Sequence, residues 1–243
     1  NGNGTFQNRT TVSAGAQPGN LIAKDINGDG KVDLIVTDFS AGAVGIMLGN
    51  GNGTFQARTT RATGANPMGL DSMDIDNDGD LDLLVGDYGN GAVSVYLGNG
   101  NGTFGSRSTI SMGTDPTNVK AVDINGDGNL DLVTSDRGSN TVSIRFGNGN
   151  GTFKSAITVT TSTTVDDVAL GDFNRDGKID YVATLSATNA VYALGNGDGS
   201  FTIKETRPAG GIGPQCFSIG DLNGDQKLDL AIVSTASASA SGA

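Results

Sequence analysis

A 49-residue period runs through the chain and limits what it can fold into more than any other feature. Asp25, Asp74, Asp123, Asp172 and Asp221 each open a D-x-[ND]-x-D segment, and successive openings lie 49 residues apart. Phe6, Phe55, Phe104 and Phe153 keep the same interval inside G-N-G-T-F, while Phe201 arrives one residue early in G-D-G-S-F. Pro18, Pro67, Pro116 and Pro214 hold a third register, which Val165 interrupts. Units of this size cannot bury an apolar face alone, so they must stack on one another as a solenoid, an array or a propeller. Five near-complete units account for the 243 residues.

Within each unit, Val, Ile, Leu and Thr alternate with small or polar residues between Gly/Asn turn signals, which predicts short strands and almost no helix. In the second unit the expected strands are Met68 to Met73, Leu81 to Asp87, Ala92 to Leu97 and Thr103 to Arg107. The Asn-Gly pairs supply the positive φ that a tight connection between the third and fourth strands demands. Two positions before its aspartate the first strand carries Ala23, Ser72 and Ala121, then Leu170 and Ile219, and small side chains there suit strands crowded about an axis. Four-stranded units of this length in tandem predict an all-β fold, a β-propeller of five four-stranded blades. Thr5 to Thr11 have the phase of an outermost fourth strand that the last blade lacks, so the N-terminal strand is expected to close that blade and remove both free edges. Residues 1–233 form this single domain, and the small, polar 234–243 is read as a degenerate strand or a linker.

The acidic loops carry the chemistry. Calcium takes about six to eight oxygen ligands, and a chain supplies them best where carboxylates and amides alternate along a tight turn. The first loop offers Asp25, Asn27, Asp29 and Asp33 side chains with the Lys31 carbonyl; the second offers Asp74, Asp76, Asp78 and Asp82 with the carbonyl of Asp80. The third offers Asp123, Asn125, Asp127 and Asp131 with Asn129, the fourth Asp172, Asn174, Asp176 and Asp180 with Lys178, and the fifth Asp221, Asn223, Asp225 and Asp229 with Lys227. An EF-hand would need a bidentate Glu at loop position twelve between helices. That position holds Val36, Val85, Thr134, Ala183 and Ile232 here. A lone Asp-Gly or Asn-Gly segment is only a turn; five in register, each ending in Asp, read as metal loops. The second loop, with four carboxylates, is expected to bind tightest. The fifth carries Gln226 where the others have Gly, and is expected to bind weakest.

D-x-N-x-D-G-x-x-D-L, a Val-rich strand and G-N-G-x-G-T-F together resemble the FG-GAP, or VCBS-type, repeat of integrin α-subunit propellers and many bacterial surface proteins. The resemblance covers essentially the whole chain. It implies Ca²⁺ in the loop between the first two strands of each blade, up to five in all, on one rim of the ring. It also implies an extracellular adhesion, recognition or scaffolding role played through the opposite rim, with a protein or glycan as ligand. Because relatives generally have more blades, it carries the alternative that these repeats belong to a larger six- to eight-bladed ring.

Composition narrows the partners. A net charge of −11 repels nucleic acid and anionic lipid surfaces, and five divalent ions would bring it to −1. No apolar run approaches the roughly 18 residues of a membrane span. The chain starts at Asn1 without Met or a secretory leader, as expected of a region processed or excised from something larger. With no histidine, Cys216 as the one cysteine, and neither G-x-S-x-G nor a phosphate-cradling loop, it is expected not to be an enzyme. Asp166 and Asp167 are adjacent and would point to opposite faces of a strand, unsuited to a catalytic pair. On the rim away from the metal loops, Phe39, Tyr88 and Arg137 share one register and form a candidate contact patch. Self-assembly into a structural module and a calcium-dependent lectin, the latter poorly supplied with aromatics, are the alternative roles.

Overall fold

A computed structural model describes Thr5 and residues 9–185, 189–208 and 212–236. Each unit folds as an antiparallel meander. The first blade is β1 (Pro18–Lys24), β2 (Asp33–Asp38), β3 (Ala43–Met47) and β4 (Thr59–Ala62). The second is β5 (Pro67–Met73), β6 (Asp82–Asp87), β7 (Ala92–Tyr96) and β8 (Ser108–Ser111), with one short 3₁₀ turn over Tyr88–Asn90. The third is β9 (Pro116–Val122), β10 (Asp131–Asp136), β11 (Thr141–Arg145) and β12 (Ile157–Thr160); the fourth is β13 (Val165–Gly171), β14 (Asp180–Leu185), β15 (Asn189–Gly195) and β16 (Phe201–Pro208). Of the fifth, β17 (Ile212–Gly220) and β18 (Asp229–Ala236) are described. The sheets are thus four of four strands and one of two, each ordered as its strands follow in the chain, and the architecture is the all-β propeller.

The second strands of the first four blades and the third strands of the first three are buried on both faces, and the side chains of adjacent blades interlock. Ile26, Ile35, Val44 and Ile46 of the first blade pack on Leu70, Leu83 and Val85 of the second. Leu84, Val93 and Val95 meet Val119 and Leu132 of the third, and Val133, Val142 and Ile144 meet Val168, Tyr181 and Ala183 of the fourth. Full burial of each such side chain stabilises by about 1.5–3 kcal/mol, so the blades cohere through the same seam repeated. Among the described residues, the outer faces of the two end blades are more exposed. Leu21 is 52% exposed although its equivalents Leu70 and Val119 are fully buried, and Leu222 is 67% exposed although Ile26 and Ile75 are not.

Three expectations change. The fourth strand of the second blade runs Ser108–Ser111, not Thr103 to Arg107. Phe104 forms only an isolated bridge to Gly98 and turns into the seam between blades, where it is 4% exposed, so the ladder restarts beyond it. By the same 49-residue offset from Thr59–Ala62, an outer strand at the N-terminus would occupy residues 10–13. These carry no strand, and among the described residues none pairs with the free edge of β18; part of the expected Thr5 to Thr11 strand lies outside the described residues. Finally, Ser234–Ala236, assigned from sequence to the tail, continue β18, while 237–243 lie outside the described residues.

Candidate metal centres and the opposite rim

Each acidic loop joins the first strand of a blade to the second, so all five lie at the same ends of their strands. The first aspartate of each folds the loop over itself. Asp25 accepts from the backbone N–H of Asp29 at 3.2 Å and of Gly30 at 2.7 Å; Asp74, Asp123 and Asp172 do the same for their loops, and Asp221 accepts from Asp225 at 3.1 Å and Gln226 at 2.7 Å. Two positions in each loop require a left-handed backbone. Gly30, Gly79, Gly128 and Gly177 take one of them, and Gln226 is forced to φ 64° there; Arg175 takes the other at φ 64°. The expected strain in the fifth loop is therefore present. Arg175 Nη2 donates to the Gln226 carbonyl, tying the fourth and fifth loops together.

The last aspartate of each loop does something composition did not reveal. Asp33 is fully buried; one oxygen accepts from Ile26 N at 3.0 Å and the other from Gly49 N at 2.7 Å. Asp82 holds Ile75 and Gly98, Asp131 holds Ile124 and Gly147, and Asp180 holds Phe173 and Gly195 in the same way. Asp229 accepts from Leu222 N at 2.9 Å. In the first four blades this carboxylate clamps the acidic loop to the glycine at the end of the third strand. The glycine it grips can be nothing larger, since a Cβ at Gly49 would lie 2.2 Å from the Val32 carbonyl oxygen and one at Gly147 2.1 Å from that of Leu130. The recurrence of that glycine at 49, 98, 147 and 195 was the available signal. Each carboxylate oxygen has two lone pairs, so the clamp leaves capacity for a cation.

Among the described residues, the three carboxylates of Asp74, Asp76 and Asp78 have oxygens within 4.8 Å of one another. Asp76 Oδ1 is buried with no hydrogen-bond partner. Burial, then the charge of Asp78, pushes the Asp76 carboxyl up, and burial pushes Asp82 up to about 6. Crowded anions with an orphaned acceptor are what a hard divalent cation relieves, so the donor set fits calcium. The other loops have Asn27, Asn125, Asn174 and Asn223 in place of Asp76, and their repulsion is milder. In two of them a lysine lies against a candidate ligand carboxylate: Lys31 Nζ is 3.1 Å from Asp29, which it holds below the usual range, and Lys227 Nζ is 3.4 Å from Asp225. The carbonyls of Lys31, Asp80, Asn129, Lys178 and Lys227 remain the expected backbone ligands.

On the opposite rim, Asp38, Asp87 and Asp136 end the second strands of three blades, almost wholly buried. Asp38 accepts from Ala16 N and Gln17 N and pairs with Arg58 at 3.3 Å; against the opposing effect of burial these donors hold it low. Asp87 accepts from Gly64 N at 2.9 Å and Ser94 Oγ at 2.6 Å, and Asp136 from Thr134, Thr141 and Ser143. Burial outweighs these bonds and raises both. They anchor the incoming connection from the previous blade, and the fourth blade has Leu185 instead. Of the sequence-proposed patch, Phe39 and Tyr88 stand with ring centroids 6.5 Å apart, and Arg137 Nε pairs with Asp166 at 3.2 Å. Phe39 and Arg137 both line a cavity where the first strands of four blades begin.

The model of the FG-GAP-like repeat matches residues 25–85, 74–134, 123–183 and 172–232. No individually curated protein is significantly similar in sequence. Among solved structures, a lectin of Agrocybe aegerita described as recognising non-reducing terminal N-acetylglucosamine is similar with TM-score 0.59 and 21% identity, over 88% of this chain and 60% of the lectin. A putative 6-phosphogluconolactonase of Bacteroides uniformis is similar with TM-score 0.61 and 16% identity, over 77% of this chain and 57% of that one. The chain thus spans about three fifths of these structures, and at such identities they show its fold alone.

Proposed function

Because the chain belongs to the FG-GAP-like repeat family, we propose that it is a calcium-binding β-propeller serving outside the cell as a recognition module for a protein or glycan, without catalytic activity. The observation that carries the metal half is the second loop, where three carboxylates converge and a buried oxygen of Asp76 has no donor. Bound there, and by the equivalent residues of the other loops, Ca²⁺ supplies charge neutralisation. The residues themselves do the rest: the opening aspartates shape the turns, and in the first four blades the buried aspartates couple the turn to the end of the third strand. The metal loops therefore stiffen one rim, which leaves recognition to the variable connections of the other. The lectin among the structural neighbours keeps a glycan among the ligand classes, and the acid-rich surface disfavours nucleic acid. No helix among the described residues is long and apolar enough to cross a membrane. Association with copies of itself is the alternative role, for which the exposed end faces at Leu21 and Leu222 are the supporting feature.

The reading is tested by thermal melts in excess calcium, in EGTA, and in magnesium. Calcium at about a hundredfold over its Kd stabilises by roughly 2.7 kcal/mol per site, so chelation is expected to lower Tm by many degrees and magnesium to restore little of it. Superimposable melts would refute the metal assignment.

A further inference from the structure

Resting on the reading that the rim away from the acidic loops is the recognition face, we propose that its ligand enters the cavity where the first strands begin and is a neutral, hydroxyl-rich saccharide residue. That cavity, of about 490 Å³, is bordered by Asn20, Phe39, Asn118, Arg137, Asp166 and Asp167. That size lies within the range of small-molecule sites. Asn20, Asn118 and Asp167 occupy one register position on three first strands. The fourth equivalent is Gly69, where a Cβ would come within 2.9 Å of the Asn118 backbone. The blades thus set three planar polar groups and one gap around the axis.

The polar walls are held in place by bonds between the third and fourth blades. Thr117 Oγ1 donates to the Asp166 carbonyl at 2.7 Å, the Asn118 amide donates to the Asp167 carboxylate, and Arg137 Nε pairs with Asp166 Oδ1 at 3.2 Å. Asp167 is 9% exposed and also accepts from Val168 N at 2.9 Å, so it is fixed in orientation. Such pre-organisation lowers the entropic cost of binding.

The chemistry of the wall selects among ligands. Carboxylates only accept, a guanidinium only donates, and amides do both. Vicinal hydroxyls, each donor and acceptor at once, match this mixture. A phosphate or sulfate would face two carboxylates, whereas an ammonium group would face Arg137 and carboxylates already engaged. Phe39, braced by Tyr88, adds one apolar ring face beside the polar set, suited to the C–H face of a pyranose.

The test uses the full chain, loaded with calcium. Immobilised neutral glycans are screened first, and the neutral monosaccharide that competes best is then titrated calorimetrically into the native chain, Phe39→Ala, Asn118→Ala and, as a control on the metal rim, Gln226→Gly. Binding of a neutral sugar is expected, weakened by about tenfold or more in both cavity variants, unchanged in the control, with Tm in calcium preserved in Phe39→Ala. Failure of every neutral glycan to bind the folded chain would overturn the proposal, as would binding indifferent to Phe39→Ala. In the latter case, loss of binding through changes elsewhere on the same rim would leave the recognition reading intact. A melt unaffected by EGTA would instead undo the calcium reading while leaving this one standing.

Discussion

The two rims of this propeller are both built on aspartates repeated every 49 residues, yet the surroundings give them opposite chemistry. On one rim Asp74, Asp76 and Asp78 crowd together with more acceptor capacity than the loop has donors. On the other, Asp87 and Asp136 are just as regular and more deeply buried, but hydroxyls and backbone N–H groups converge on them. The first set asks for a cation; the second is already satisfied and serves to hold the chain entering each blade. Asp33 and its equivalents stand between: each oxygen accepts one N–H and keeps a lone pair for a cation. The lesson is that the count of donors around a carboxylate, and not the carboxylate itself, decides whether it binds metal or braces the fold.

The contrast breaks most visibly by substitution. Asp136→Ala would strand the buried hydroxyls of Thr134, Thr141 and Ser143, and is expected to cost about 2–3 kcal/mol in denaturant melts with or without calcium. Asp76→Asn should do the reverse: weaken calcium binding at one loop in calorimetry, while leaving the calcium-free chain as stable as before or more so, because a repelling charge is gone. If Asp76→Asn proved as costly in EGTA as Asp136→Ala, the two rims would not differ as described.

Acid sharpens the same comparison. Asp76, Asp82, Asp87, Asp131 and Asp136 are all raised, principally by burial, so the folded chain binds protons more tightly than the unfolded one. Their contribution is fully present below the ordinary carboxylate value and lost as pH rises through the folded values, about 6 for Asp82. Calcium-free protein is therefore expected to melt higher at pH 5 than at pH 7.5. Protons compete with the metal, so the increment that calcium adds to Tm should be smaller at pH 5. Asp38, held low by its N–H donors and Arg58 against burial, loses its contribution only below this window. The smallest expected effect is Gln226→Gly, which relieves a left-handed backbone and should stabilise by about 1 kcal/mol while tightening the fifth loop. An unchanged melt and calcium isotherm would show that the bond from Arg175 already compensates.

Much of this was legible in the chain. The period of the opening aspartates set the blade count and placed the loops between first and second strands, because turn chemistry and alternation are local properties. The outer strands were not legible in detail. Phe104 looks like a strand residue in G-N-G-T-F, but its burial against the neighbouring blade pulls it off the ladder, and that contact is non-local. For the same reason the clamp from Asp33 to Gly49 passed for an ordinary turn glycine: a hydrogen bond across 16 residues leaves no trace but recurrence. Arg137 was placed on the correct rim by register alone. Its pairing with Asp166 joins neighbouring blades, and only their packing reveals it.

Whether the acidic loops hold metal can be read from anomalous diffraction by crystals grown in millimolar calcium. A calcium peak is expected among the oxygens of Asp74, Asp76 and Asp78, with equivalent peaks in the other loops and the weakest beside Gln226. Density showing those carboxylates turned to their own backbone N–H groups around nothing but water would contradict it.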